Sequence, residues 1–175
     1  TGTLTVGAPA VTDLKTFGID EETLISLAAG AEFNSEHPIA VAIIDRAGEA
    51  GVDVISGENF RSSAGEGVSA EVGGRAVIVG KLSMMEVNGI SVGDEVKRVV
   101  GDYESAGKTT VLLSVDGIPA GIIAVSDRLK ESAKPAVLEN KSMGMSVAMV
   151  TGDNETTATA IASEAGIDEV HANVM

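Results

Sequence analysis

Two rhythms of apolar and polar positions divide the chain. Leu24, Leu27, Ala28 and Ala31 recur at helical spacing, with Asp20 placed to cap and Glu21 and Glu22 suiting the positive end of a helix dipole. A second stripe, Ile39, Ala42, Ile43 and Ala47, predicts another helix, capped by Ser35, with Pro38 in its first turn and Gly48 or Gly51 at its end. From residues 52–80 the pattern changes to short β-branched runs punctuated by glycine. Within it, "SAEVGGRAVIVG" predicts a hairpin turned at Gly73-Gly74. A polar helix over residues 94–105 leads into "TTVLLSVDGIPAGIIAV", two strands joined at Asp116-Gly117, so the middle of the chain reads as antiparallel sheet flanked by helices.

After Ser126 the order is helix ("ESAKPAVLENKSMG"), apolar strand ("SVAMV"), the loop "TGDN", helix ("ETTATAIASEAG") and a short strand near residues 169–171. That order predicts a parallel, doubly wound sheet with its ligand site at the carboxyl ends of the strands. The opening "TGTLTV" predicts a short strand that runs into a linker at Gly7-Ala8-Pro9 and is able to join this same sheet. The expected division is therefore 1–12 and 125–175 as two parts of one domain, with 13–124 inserted between them. Short linkers at residues 9–12 and 124–127 suit a hinge.

Composition narrows the chemistry. Hydrophobic residues make up 44% of the chain and aromatics 2%, so the core must be built from aliphatic side chains and methionine. No apolar run approaches the ~18 residues of a membrane span. A net charge of −14 without a basic stripe argues against nucleic acid, and any polyanion must be gripped by local groups against the overall field. The absence of cysteine excludes disulfides and thiolate chemistry, and two histidines, His37 and His171, make an imidazole metal cluster improbable. The six methionines are expected to fill core.

Several motifs permit two readings each. "TGDN" (Thr151, Gly152, Asp153, Asn154) follows a strand and opens a helix, so it is either a phosphate loop or a turn capped by Asp153 or Asn154. His37, in "SEHP", is either an exposed helix-start histidine or a flat surface for stacking on a base, with Glu32 and Glu36 near enough to read a purine amino group. In "AGEGV", Gly65 and Gly67 make a tight turn or allow a ligand close to the backbone. "ESAGKTT" imitates a P-loop at Gly107-Lys108-Thr109, but Asp102 holds the required glycine position and a strand follows.

Taken in order, "TGTLT", "SEHP", "GEGV", "VG" followed by Asn88-Gly89, "SDRLKESA" and "TGDN" resemble the cytosolic catalytic loop of the heavy-metal-transporting P-type ATPases, copper exporters above all. The resemblance spans almost the whole chain. It implies an α/β fold: an α+β nucleotide-binding domain inserted in a truncated Rossmann-like phosphorylation domain of the haloacid dehalogenase type. It also implies ATP and Mg²⁺ as cofactors, ATP or ADP as ligands, and transmembrane and actuator domains as partners at the cytoplasmic face of a membrane. Residue by residue, Thr1 and Thr3 resemble part of the phosphorylation loop and Thr151, Gly152 and Asp153 the second phosphate-contacting loop. His37 resembles the histidine that orients adenine, with Glu32, Gly65, Gly67 and Asn88 completing the pocket. In this resemblance the nucleophilic aspartate stands two residues ahead of Thr1, and the family's lysine and second metal carboxylate lie beyond Met175. Nucleotide binding without turnover is therefore expected of these 175 residues. The rival expectations are a haloacid dehalogenase-type phosphatase with the insert as a cap, and a nucleotide-binding module that never catalyses.

Overall fold

A computed structural model describes residues 2–174. Six strands form one antiparallel sheet in the order β1-β6-β5-β4-β3-β2: β1 (Thr5–Thr16), β2 (Glu58–Ser63), β3 (Gly67–Val72), β4 (Arg75–Gly80), β5 (Thr109–Val115) and β6 (Ile118–Leu129). Both expected hairpin turns are present. Gly73 and Gly74 have φ of 59° and 77°, and Asp116 and Gly117 51° and 80°, the left-handed pairs that a two-residue turn between twisted strands requires.

Strand alternation assigns two cores. Val111, Leu113, Val115, Ile123 and Val125 face one side, where they pack with Leu24, Ile25 and Ile43 of helices α1 (Glu21–Glu32) and α2 (Pro38–Glu49). Leu112 and Ile122 face the other side and pack with Met85 of α3 (Leu82–Val87) and Val96 and Val100 of α4 (Asp94–Ser105). Asp20 caps α1 as its position predicts, accepting the Thr23 amide at 2.7 Å. That bond holds the exposed Asp20 carboxyl below the usual carboxylate range.

A third, smaller core comprises α5 (Ala133–Ser142), β7 (Ala148–Val150), α6 (Glu155–Ala165) and β8 (Glu169–His171). Here β7 and β8 pair in parallel, as the helix–strand–helix rhythm predicts. Of the methionines, Met84, Met85 and Met149 are buried, while Met143 and Met145 are exposed and fill no core.

Three expectations change. The N-terminal strand joins the antiparallel sheet rather than β7 and β8, since it runs for 12 residues along β6. Residues 9–12 and 124–127 are consequently not loose linkers. They are paired to each other, Pro9 opposite Asp127 and Val11 opposite Val125, with register shifts on either side that let the ribbon bend. Leu4 and Leu129, at the ends of the ribbon, pack into the third core and so carry the sheet to it. Finally, α3 had no counterpart among the expected elements, and β2 falls within the expected β region of residues 52–80 without having been delimited as a strand.

Candidate functional site

A cleft of about 490 Å³ opens where the corner between α1 and α2 meets the β2–β3 turn, the end of β4 and the start of β5. Glu32, His37, Gly65 and Gly67 all line it. The corner is tight. Glu32 ends α1, the Ser35 amide returns to the Glu32 carbonyl at 2.8 Å, and α2 begins at Pro38.

The cap of α2 is His37, not Ser35. Proline forces the residue before it into extended backbone, and His37 at φ −70°, ψ 141° thereby has the geometry of an N-cap. Its Nδ1 accepts the Ile39 amide at 3.2 Å, which assigns the ring proton of the neutral tautomer to Nε2. Ser35 instead stands between the two functional candidates: its Oγ accepts the His37 amide at 3.3 Å, and its hydroxyl acts on the Glu32 carboxyl, lowering its pKa.

Glu32 is only 5% exposed, and its Oε2 is buried without a hydrogen-bond partner among the described residues. Burial pushes its carboxyl above the ordinary value, opposed by the Ser35 hydroxyl. A buried carboxylate oxygen with nothing to accept is costly, and a donor entering the cleft would relieve that cost.

The two glycines of "GEG" differ. Gly65 has φ +73° and nothing within 4 Å of where a Cβ would stand, so it serves the turn and leaves the cleft wall open. Gly67 is required by packing: a Cβ there would lie 2.2 Å from the Val79 carbonyl oxygen and 2.5 Å from the Gly80 Cα, its partner across the β3–β4 ladder. Met84 Sδ closes over Gly67 and Gly80.

Asn88 does not line the cleft. It ends α3, where its Nδ2 donates to the Met84 carbonyl at 2.8 Å, so its connection to the site runs through Met84. Lys81, beside Gly80, and Thr110 of β5 line the cleft without having been singled out, and so does Thr109, which the sequence brought up only in the imitation P-loop. Their signal lies in strand register, which brings Gly67 opposite Gly80 and Gly80 opposite Leu112, and no local motif carries it.

The second candidate loop lies on the small core. Thr151 is buried, its Oγ1 donates to Asp153 Oδ2 at 2.9 Å and accepts the Asp153 amide at 3.1 Å. Asn154 caps α6 by accepting the Thr157 amide at 3.0 Å, which decides between the two possible caps. Gly152 is exposed. In the opening loop Thr3 is exposed, while Thr5 is the buried threonine and accepts the Gly2 amide at 3.0 Å; Thr1 lies outside the described residues. Leu4 packs in the cluster that holds Met149, two positions ahead of Thr151, so both loops leave one core.

Among the described residues no group of three or more His, Asp or Glu could hold a metal ion. Asp153 offers one carboxylate to a cation that arrives with other ligands, as Mg²⁺ on a polyphosphate does. Gly107-Lys108 is no phosphate loop: Lys108 pairs with Asp13, and Gly107 packs against Thr157 and Ala160 of α6.

Comparison with known proteins bears on both loops and cleft. A "Probable copper-exporting P-type ATPase" of Archaeoglobus fulgidus is 48% identical over 175 residues, all of this chain and 21% of the relative. A "Copper-exporting P-type ATPase" of Bacillus subtilis is 40% identical over 176 residues, again all of this chain and 22% of the relative. The chain thus spans about a fifth of the length of these curated relatives. The solved structure of a zinc-transporting PIB-type ATPase in an E2.Pi state superposes with a TM-score of 0.89 at 36% identity, over 99% of this chain and 28% of that one. The family model of haloacid dehalogenase-like hydrolases matches residues 1–174, and the chain belongs to that family.

Proposed function

We propose that this chain is the nucleotide-binding domain and part of the phosphorylation domain of a heavy-metal P-type ATPase that exports copper. In this reading residues 13–124 bind ATP and ADP. Residues 1–12 and 125–175 belong to the phosphorylation domain, and the whole pump couples ATP hydrolysis, through an aspartyl-phosphate, to metal transport. Transmembrane and actuator domains are its partners at the cytoplasmic face. The observation that carries the reading is the convergence of Glu32, His37, Gly65 and Gly67, remote in sequence, on one cleft of about 490 Å³.

The cleft's chemistry suits an adenine. The buried Oε2 of Glu32 needs a donor, which an exocyclic amino group supplies, and the His37 ring offers a face for stacking. Volumes of roughly 300–1,000 Å³ are those of small-molecule sites. Mg²⁺ enters with the nucleotide rather than through a resident site. Thr3, Thr151, Gly152 and Asp153 flank the phosphoryl group, with Thr151 holding Asp153 in place by its hydroxyl. A nucleotide held on one domain and delivered to another requires a joint, and the bulged β1–β6 ribbon is suited to that work.

Isothermal calorimetry with ATP and ADP tests the reading on the 175-residue chain. Wild type binds both, and His37→Ala weakens binding by about tenfold, the scale of one lost base-stacking contact. Equal affinities would remove His37 from the site; no binding by wild type would overturn the domain assignment.

A further inference from the structure

We propose that Lys81 is the cleft's phosphate-side cation, the group that discriminates nucleoside di- and triphosphates from the bare nucleoside. The proposal rests on the nucleotide-binding reading above and adds a residue to it.

Lys81 is the one lysine or arginine that lines the cleft among the described residues. Elsewhere on the molecule Arg75 is bonded to Asp116, Lys97 to Glu86, Lys108 to Asp13 and Lys141 to Asp168. Among the described residues the Lys81 ammonium has no such partner.

The carboxylate best placed to neutralise it is Glu66, because the Lys81 amide donates to the Glu66 carbonyl at 2.8 Å. The Glu66 carboxylate instead accepts the Ser83 hydroxyl, and no ion pair joins it to Lys81 among the described residues. The ammonium therefore stands beside the Gly65-Gly67 turn with its charge uncompensated by a direct ion pair.

The root of the side chain is fixed while its end is free. The Lys81 carbonyl accepts the Met84 and Met85 amides at 3.1 and 3.3 Å, and Met85 is fully buried, so the main chain is pinned from both sides. An anchored, exposed ammonium suits a ligand whose charge lies outside the apolar part of the cleft. In a molecule of net charge −14 the general field repels a polyphosphate, and an unpaired local cation offsets that repulsion where the ligand is gripped.

Calorimetry of wild type, Lys81→Met and Lys81→Arg with adenosine, AMP, ADP and ATP, at low and moderate salt, tests the proposal. Lys81→Met is expected to bind ADP and ATP about three- to tenfold more weakly, a solvent-exposed charge-assisted contact, with adenosine unchanged and a shallower salt dependence. Lys81→Arg restores the loss. Unchanged ATP and ADP affinity in Lys81→Met overturns the proposal, as does an equal loss for adenosine and ATP, which would mark a merely structural role. Failure of wild type to bind any of the four overturns the nucleotide reading itself, a distinct result.

Discussion

The backbone amide of Gly7 donates to the Asp127 carboxylate at 3.0 Å, joining residues 120 positions apart. Lys130 Nζ donates to the Gly2 carbonyl at 2.6 Å and Arg128 to the Val11 carbonyl at 3.2 Å. The segment "SDRLK" thus fastens its side chains to the main chain of the N-terminal arm, across the bulge where ladder bonds are missing. Asp127→Ala is expected to cost about 1–2 kcal/mol, the worth of a charge-assisted bond to an amide. Thermal melts read this as a lower midpoint, and an unchanged midpoint would contradict the role given to Asp127.

Glu32→Gln should stabilise the protein and weaken its ligand binding together. Because burial raises the folded-state pKa, the native state holds its proton more tightly than the unfolded chain, and stability falls as pH climbs from the ordinary glutamate range through the folded pKa. The glutamine variant lacks this penalty and gains about 1 kcal/mol near neutral pH. Urea melts at pH 4 and pH 7 test the sign: the variant's advantage is small at pH 4 and larger at pH 7.

The Asp13–Lys108 pair behaves oppositely. Partial burial raises the Asp13 carboxyl, but the Lys108 and Thr12 hydrogen bonds and the Lys108 charge outweigh it and hold it below its ordinary value. Its contribution is present above the unfolded carboxylate pKa and lost as pH falls through the folded one. Since both side chains are partly exposed, Asp13→Asn should cost no more than about 1 kcal/mol at pH 7, with the difference shrinking in acid. A difference that grew in acid would reverse the assignment.

Gly65 and Gly67 separate in a mutational test. Gly65→Ala meets open space and pays only for a left-handed backbone, about 1–2 kcal/mol. Gly67→Ala drives a methyl group into the Val79 carbonyl and the Gly80 Cα, and is expected to cost about 3 kcal/mol or more. Equal costs in chemical denaturation would refute the distinction.

Much of this was legible in the chain because the signals are local. Asp20, Gly73-Gly74 and Asp116-Gly117 fixed a cap and two turns, and residues 94–105 gave a helix with the bounds observed. What was missed depends on tertiary packing. In β2 only Phe60 is even half-buried, so the strand carries no alternating pattern, and the six-residue α3 has no side-chain cap and depends on burial of Met84 and Met85. The ribbon was hidden because Gly7 and Pro9 read as breakers, whereas a bulge absorbs them. The cleft's Glu32, His37, Gly65 and Gly67 were found through motifs; Asn88 was one element removed, and Lys81 emerged only when register brought β3 against β4.

The central claim is that the cleft between the α1–α2 corner and the β2–β3 turn receives an adenine nucleotide. Amide-resolved NMR titration of the chain with ADP tests it most directly. The account predicts saturable shifts concentrated at Glu32, His37, Gly65, Gly67, Lys81 and Thr110, with the exposed Ile118, at the opposite end of the β5–β6 hairpin, unmoved. Shifts confined to Thr151–Asn154, or none at saturating ADP, would contradict it.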